Sequence, residues 1–235
     1  MKVAILNAID PAKSQVNWGG TPIDAYIRFL QSAPNAFTFS GYNVALGEFP
    51  ADANLYDAYV ITGSPSGAYE TDPWILTLMD FIRQAYKLGK KLVGICFGHQ
   101  ILAQALGGHV EKSAKGWGLG LKPFALTGRK PWMTEPAPHC SLYFVHQDQV
   151  IDLPPQAEHL AGNDFCPNVM YAIGEQVLGV QGHPEFTPEI MEGIFASRPD
   201  ALKATELFQT AVTSVANGRP DNQLFANWIV NFLKA

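Results

Sequence analysis

The first half of the chain alternates short apolar segments with longer amphipathic ones, and this alternation restricts the fold more than any other feature. Four apolar segments are predicted strands: residues 2–7, 42–46, 58–61 and 91–95. Three further segments have helical periodicity or capping residues: 21–30, 74–88 and 98–106. Strands that are apolar throughout and separated by helices are typical of a sheet covered on both faces. The sequence therefore predicts an α/β fold with an open, mostly parallel (mixed) sheet and helices on both faces.

The second half has a different organisation. Residues 109–182 are predicted to be rich in strands, and the tail from residue 188 is predicted to be helical. A chain of 235 residues is expected to form one domain. We therefore predict a single domain over 1–235, with a core of about 1–190 and a helical extension of about 188–235. The end of the tail carries an apolar stripe at helical spacing, which is expected to dock on the core or, alternatively, to bind a partner: Leu224, Phe225, Trp228, Ile229, Phe232 and Leu233.

Composition excludes several classes of protein. The chain has 16 Lys and Arg against 21 Asp and Glu, which argues against nucleic-acid binding as its main task, because binding to the phosphate backbone needs a positive surface. No apolar run approaches the ~20 residues of a membrane span. The first apolar run soon meets Asn7 and Asp10, which favours a strand over a secretory signal. Three cysteines without a CxxC pair predict free thiols in a reducing compartment, so a cytoplasmic location is expected.

The segment around Cys96 carries the strongest chemical signal. An apolar strand runs into Cys96, and a small-residue turn and a helix follow at once. Gly94 and Gly98 flank it, and glycine allows a sharp turn where a side chain would clash. This is the arrangement of a nucleophile elbow, with cysteine in place of serine, and the helix N-terminus favours a thiolate. The alternative is that Cys96 is a small buried apolar residue.

A cysteine nucleophile needs a base, and that base needs an orienting group. His183 and Glu185 lie at i and i+2, so in extended backbone they point to the same side and the carboxylate can hold the imidazole. The pairs His109 with Glu111 and His146 with Asp148 have the same spacing. His109 follows a helix-ending glycine, which favours a structural role, whereas spacing alone leaves His146 as a competing base. The cysteines and histidines lack zinc-site spacing, so no metal is expected.

Donors for a developing oxyanion are expected from two backbone segments. Residues 63–67 follow the predicted strand at 58–61, and the amide of Phe97 follows the cysteine. The alternative is an ordinary connection between a strand and a helix. The loop lacks the lysine of GxxxxGK[ST] and the spacing of GxGxxG, so it is not predicted to hold a nucleotide, and no cofactor is expected.

Together, residues 94–100 and 182–185, following the loop at 61–65, resemble the signature motifs of class I (triad-type) glutamine amidotransferases. The resemblance implies a flavodoxin-like fold and selects His183 over His146 as the base. It implies that Cys96 attacks the γ-amide of glutamine or a γ-glutamyl compound, that His183 moves protons, and that Glu185 orients His183. Ammonia or an amine leaves, and water hydrolyses the γ-glutamyl thioester.

The resemblance also implies roles for the residues around this triad. The backbone of Ser64 and Phe97 is expected to form the oxyanion hole. Substrate contacts are expected from four residues: Gly63, Gln100, Gln147 and Asp148. Two positions depart from the family pattern. Ser64 replaces a second glycine, which reduces backbone freedom, and Gln147 is bulkier than the usual residue, which can alter the γ-glutamyl compound that fits.

The same motifs, with residues 115–120, look closest to stand-alone amidotransferases resembling the glutaminase of GMP synthase, to which plant γ-glutamyl peptidases are related. Two forms of γ-glutamyl hydrolysis are thus expected. The chain is either a glutaminase that supplies ammonia to a separate synthase subunit, or a γ-glutamyl peptidase that acts alone. A non-catalytic, redox-sensing or regulatory protein on the same scaffold is the alternative of a different class.

Overall fold

The computed structural model describes residues 1–10, 12, 14, 16–135 and 137–235. The first half forms β1 (Lys2–Asn7), α1 (Pro22–Gln31), β2 (Thr38–Asn43), β3 (Ala58–Ile61), α2 (Pro73–Lys87), β4 (Lys91–Ile95) and α3 (Phe97–Ala105). Seven strands follow: β5 (His109–Lys112), β6 (Gly118–Leu126), β7 (His139–His146), β8 (Asp148–Asp152), β9 (Glu158–Gly162), β10 (Met170–Ile173) and β11 (Val177–Val180). Four helices complete the chain: α4 (Pro188–Ala196), α5 (Asp200–Lys203), α6 (Glu206–Asn217) and α7 (Asn222–Lys234).

The main sheet of the described residues has nine strands in the order β2-β1-β3-β4-β11-β10-β9-β6-β7. Strand pairing is parallel from β2 through β1, β3 and β4 to β11. It is antiparallel from β11 to β7. The prediction of an open, mixed α/β sheet is confirmed. Its parallel part brings the carboxyl ends of β3, β4 and β11 to one edge, where loops from different parts of the chain meet.

Both faces of the parallel strands β1, β3, β4 and β11 are buried, as their continuous apolar character predicts, whereas the edge strand β2 is partly exposed. In β1, Val3 and Ile5 join the core cluster that contains α1 and α7, whereas Ala4 and Leu6 join the cluster that contains α2 and α3. Successive residues of a strand point to opposite faces, so one apolar strand fills both clusters. No helix among the described residues is long and apolar enough to cross a membrane.

The strand predicted at residues 42–46 is wrong in its bounds. Strand β2 ends at Asn43, and Val44–Leu46 is a short 3-10 helix that ends at Gly47, whose φ is 82°. The apolar run of this segment has a different cause. Val44 is buried against α2, while Leu46 is exposed, so their apolar character does not come from a place in the sheet. The residues before them, Thr38–Asn43, form the edge strand by pairing with β1.

The apolar stripe at the end of the chain is buried in α7. Phe225, Trp228, Ile229, Phe232 and Leu233 belong to the core cluster on the α1 face of the sheet, and Leu224 packs against that cluster. The Trp228 indole also donates a hydrogen bond to the carbonyl of Thr134. The last helix therefore contributes directly to the core.

Replacing Trp228 with alanine is expected to lower the free energy of unfolding by about 3–5 kcal/mol, because a large, fully buried side chain leaves a cavity. Urea unfolding followed by circular dichroism measures this change. Thr210→Ala, at an exposed position of the neighbouring helix α6, is the control and should change stability by less than about 0.5 kcal/mol. Equal midpoints for the two variants would mean that α7 does not unfold with the core.

Candidate active site

Cys96 occupies a sharp turn between β4 and α3. Its φ is 55° and its ψ is −105°, a backbone conformation that residues with a side chain rarely adopt. A Cβ on Gly94 would lie 2.2 Å from the carbonyl oxygen of Gly98, and one on Gly98 would lie 2.2 Å from that of Ile61. The two glycines thus allow the close approach that the turn requires. A strained cysteine held by such packing is typical of a functional site.

Neighbouring strands lock this turn in place. The amide of Cys96 donates to the carbonyl of Val180 at 2.9 Å, and the amide of Gly98 donates to the carbonyl of Thr62 at 3.1 Å. Val180 ends β11 and Thr62 follows β3, so Cys96 lies at the carboxyl edge of three parallel strands. The loops that follow β3 and β11 are therefore the segments nearest to its sulfur.

The loop after β11 carries His183 and Glu185. His183 Nδ1 lies 2.8 Å from Glu185 Oε1, and both residues are only 4% exposed. The amide of His183 donates to the carbonyl of Tyr143 at 2.8 Å, and its ring stacks on Phe186 with centroids 3.9 Å apart. These contacts fix the imidazole in one orientation, with Nδ1 occupied by the carboxylate.

The His183 ring lies beside Cys96. A Cβ on Gly63 would meet His183 Cε1 at 3.0 Å and the Cβ of Cys96 at 3.7 Å. Burial lowers the pKa of His183, but the negative charges of Glu185 and Cys96 and hydrogen bonds to both raise it more, to about 10. The environment thus favours the protonated, imidazolium form of His183.

The competing histidine pairs have different surroundings. His146 is buried between the rings of Phe144 and Phe165, and burial lowers its pKa to about 3. Among the described residues, neither ring nitrogen of His146 has a hydrogen-bond partner, and Asp148 accepts a hydrogen bond from Tyr69 at 3.3 Å. His109 and Glu111 form a 3.4 Å pair on the exposed surface. Equal spacing in the sequence therefore produces three different environments.

Most of the predicted site residues line one cavity of about 730 Å³: Gly63, Ser64, Cys96, Gln100, Gln147, Asp148, His183 and Glu185. Phe97 does not line it. Its ring is fully buried, 5.6 Å from that of Trp74, so only its backbone amide can serve the site. The cavity volume lies within the ~300–1,000 Å³ range of pockets that enclose drug-sized ligands. Among the described residues, no group of three or more His, Cys, Asp or Glu could hold a metal ion.

The loop after β3 accommodates Ser64 without strain. Ser64 is not among the residues of positive φ, so its backbone does not need glycine. Its hydroxyl accepts a hydrogen bond from the amide of Ser66 at 3.2 Å, which stabilises the turn. The departure from the family pattern at this position therefore introduces no residue of positive φ into the loop.

Gln100 links helix α3 to Asp148 of β8 and to Gln181 by hydrogen bonds. Its amide nitrogen donates to the carbonyl of Asp148 at 2.7 Å and to the side chain of Gln181 at 3.0 Å. Both N–H donors of the Gln100 side chain are thus engaged within the protein. Burial raises the pKa of Asp148, against the opposing effects of Tyr69 and Lys112.

Tyr26 is a residue of the site that sequence reasoning missed. The sequence placed it on the apolar face of the first helix, and its ring is indeed buried. Its hydroxyl accepts a hydrogen bond from the amide of Gly63 at 2.9 Å. Burial and the nearby charge of Glu185 raise its pKa well above the ordinary value, so it stays protonated. The hydroxyl in an otherwise aliphatic stripe was the available signal.

Comparison with known proteins agrees with this architecture. The model of the family Glutamine amidotransferase class-I matches residues 21–196. A glutamine amidotransferase from Thermotoga maritima has the same fold, with a TM-score of 0.76 at 20% identity, covering 100% of this chain and 98% of that one. The chain belongs to the class I glutamine amidotransferase family.

Two similar proteins carry different names. Gamma-glutamyl peptidase 5 of Arabidopsis thaliana is 35% identical over 202 residues, which cover 82% of this chain and 80% of the relative. A glutamine amidotransferase-like protein of Schizosaccharomyces pombe is 30% identical over 255 aligned residues, covering 98% of each chain. The chain is therefore similar in sequence both to a peptidase and to an amidotransferase-like protein.

Proposed function

We propose that this protein hydrolyses the amide bond of γ-glutamyl compounds, with Cys96 as nucleophile, His183 as acid and base, and Glu185 as the residue that orients His183. The observation that carries the proposal is the buried 2.8 Å contact between His183 and Glu185 beside a strained cysteine. Family membership supports the same class of reaction. A nucleophile, a base and an orienting group are the three parts that covalent amide hydrolysis requires.

The reaction follows from the arrangement of these groups. The thiolate of Cys96 bonds to the γ-carbonyl carbon, and the amides of Ser64 and Phe97 donate to the oxyanion that forms. His183 gives its proton to the nitrogen as the C–N bond breaks, leaving a γ-glutamyl thioester and releasing ammonia or an amine. Water then attacks the thioester while His183 takes its proton, and the C–S bond breaks to release glutamate and return the thiolate.

The glutamyl part of the substrate is proposed to lie along the wall formed by Gly63, Gln100, Gln147 and Asp148. These four residues line the cavity that contains Cys96. The Asp148 carboxylate offers a partner for the α-ammonium group, and Lys112, which also lines the cavity, offers one for the α-carboxylate. No cofactor is needed, because every step uses only side chains and water.

A substrate panel tests the proposal and separates its two forms. Purified protein is given glutamine and a set of γ-glutamyl dipeptides, and released glutamate is measured. Turnover of dipeptides supports a γ-glutamyl peptidase, which the similarity to plant peptidases favours. Efficient turnover of glutamine alone supports a glutaminase that works with a separate synthase subunit. If the wild-type protein releases glutamate from neither class, the proposed hydrolysis is wrong.

Glu185→Gln is expected to lower kcat/KM by about 10²–10⁴-fold and to move the alkaline limb of its pH profile to lower pH. The protonated His183 is the general acid, and the charge of Glu185 helps to raise its pKa to about 10. Without that charge, burial lowers the pKa with less opposition, so the proton is lost at lower pH. Rates measured from neutral to alkaline pH test this result.

Glu185→Gln is also expected to change how the free energy of unfolding depends on pH. A raised pKa stabilises the folded state fully below the ordinary value of 6.5, and this contribution is lost as pH rises towards about 10. The unfolding free energy of Glu185→Gln should therefore depend less on pH across that window. Glu111→Gln is the matched control, because its exposed histidine pair has the same sequence spacing. A wild-type pH profile for Glu185→Gln would contradict the assigned role.

A further inference from the structure

Arg198 is a cation in the wall of the catalytic cavity, and no ion pair of its side chain is found among the described residues. It follows α4 and lines the cavity together with Cys96. Its guanidinium carbon lies 5.1 Å from the centroid of the Trp117 ring, a cation–π contact that holds it in place. In the part of the chain that the structure describes, its side chain forms no ion pair, and its Nε is buried without a hydrogen-bond partner.

Burying a cation without a partner costs free energy, and a bound anion offsets that cost. Burial lowers the pKa of Arg198, whereas the negative charge of Cys96 raises it, so the guanidinium is partly desolvated within electrostatic reach of the nucleophile. A guanidinium presents its N–H groups as a planar fork that matches a carboxylate. The group that best satisfies this site is therefore a carboxylate on a molecule bound in the cavity.

The position of Arg198 indicates which part of the substrate carries that carboxylate. His183, the proton donor for the leaving amine, stacks on Phe186, which packs with Trp18 and Ile194 in one apolar cluster. Trp117 packs against the same cluster, and Arg198 follows the helix that carries Ile194. We call these residues the leaving-group wall: Trp18, Trp117, Phe186, Ile194 and Arg198. Gln100, Asp148 and Tyr69 form a separate hydrogen-bonded wall.

We infer that Arg198 binds the carboxylate of the leaving group, which is the amino acid or peptide whose amino nitrogen is released when the C–N bond breaks. The inference rests on the proposed γ-glutamyl hydrolysis and defines its substrate class. Favoured substrates are γ-glutamyl amino acids or peptides with a free carboxylate on the leaving group. Glutamine, whose leaving group is ammonia, makes no use of Arg198 in this way.

The test compares γ-glutamyl-alanine with γ-glutamyl-alaninamide, which differ only in the carboxylate of the leaving group. For Arg198→Gln, the ratio of kcat/KM for the acid to that for the amide should fall roughly 10- to 100-fold, mainly through KM, because a charge-assisted hydrogen bond is lost. Arg198→Lys should lie between, since it keeps the charge and loses the fork. Arg129→Gln removes an exposed arginine outside the cavity and should keep the wild-type ratio.

Each result has one meaning. An equal loss for acid and amide in Arg198→Gln overturns the inference while leaving γ-glutamyl hydrolysis intact. If the wild type hydrolyses neither compound, the proposed function fails, and binding decides the inference separately. Calorimetry on Cys96→Ala should then show γ-glutamyl-alanine bound more tightly than the amide, with the difference abolished by Arg198→Gln. Absence of binding, or a difference that survives Arg198→Gln, overturns it.

Discussion

Replacing Cys96 with alanine is expected to lower kcat for γ-glutamyl hydrolysis by at least about a thousandfold, because no thioester can form without the sulfur. Binding of substrate should remain, since alanine keeps the backbone turn and the cavity walls. Release of glutamate from a γ-glutamyl dipeptide measures the rate, and mass spectrometry of a trapped acyl-enzyme measures the intermediate. The intermediate should be present only where Cys96 is present.

The other two cysteines provide the matched control. Burial raises the pKa of Cys140 and that of Cys166 to about 12, so both remain thiols at neutral pH. Cys140→Ala removes one such thiol outside the cavity and should keep the wild-type rate. If Cys96→Ala keeps that rate as well, the nucleophile is assigned wrongly. If both variants lose activity together, the effect is structural, and unfolding curves would show it.

Replacing Gly94 with alanine is expected to lower the free energy of unfolding by about 1–3 kcal/mol or more and to remove activity. The added Cβ would lie 2.2 Å from the carbonyl oxygen of Gly98 and 2.6 Å from the amide nitrogen of His99. These are backbone atoms, so relief requires that β4 or the start of α3 move. Because the turn at Cys96 depends on that approach, the nucleophile moves with it.

Gly193→Ala is the control for this substitution. Gly193 lies inside α4, and the nearest atoms to an added Cβ are 3.7 Å away, which is ordinary contact. Alanine is also the better helix former by roughly 0.5–1 kcal/mol. Chemical denaturation should therefore show a small gain for Gly193→Ala and a large loss for Gly94→Ala. Similar midpoints for the two variants would show that the elbow tolerates a side chain at Gly94.

The placement of Arg198 gives a physical reason for a preference among γ-glutamyl compounds. A charged group in a partly desolvated wall costs free energy in the empty protein, and a complementary carboxylate offsets that cost only in the bound state. The preference is thus a difference between substrates, measured as a ratio of kcat/KM values. The outcome for Arg198→Gln separates this specificity from the chemistry at Cys96, which both substrates share.

The local patterns were enough to predict the parallel strands and the turn at Cys96. Apolar residues without alternation indicate strands buried on both faces, and Gly94 and Gly98 around a cysteine indicate a turn that no larger residue permits. The edge strand could not be bounded in this way. Val44 is apolar because α2 covers it, and a contact with a distant helix has no local signature.

Three His–acid pairs with the same spacing show that sequence spacing alone cannot identify the catalytic base. Resemblance to a family was needed to prefer His183 over His146, because spacing says nothing about burial or neighbours. In the fold, His183 meets Glu185 at 2.8 Å, His146 is enclosed by aromatic rings, and His109 is exposed. These differences arise from which strands and loops come together, and not from the residues adjacent in the chain.

The sequence by itself predicted the fold class and the turn at Cys96, and it offered Cys96 as the candidate nucleophile, since each prediction depends on the conformations that neighbouring residues allow. Only the tertiary structure decided that Tyr26 holds the Gly63 loop and that Arg198 lines the cavity with its Nε lacking a hydrogen-bond partner among the described residues. Both residues are far in sequence from Cys96. Their side chains gain these roles because long-range packing brings α1 and the end of α4 to the carboxyl edge of the same parallel strands.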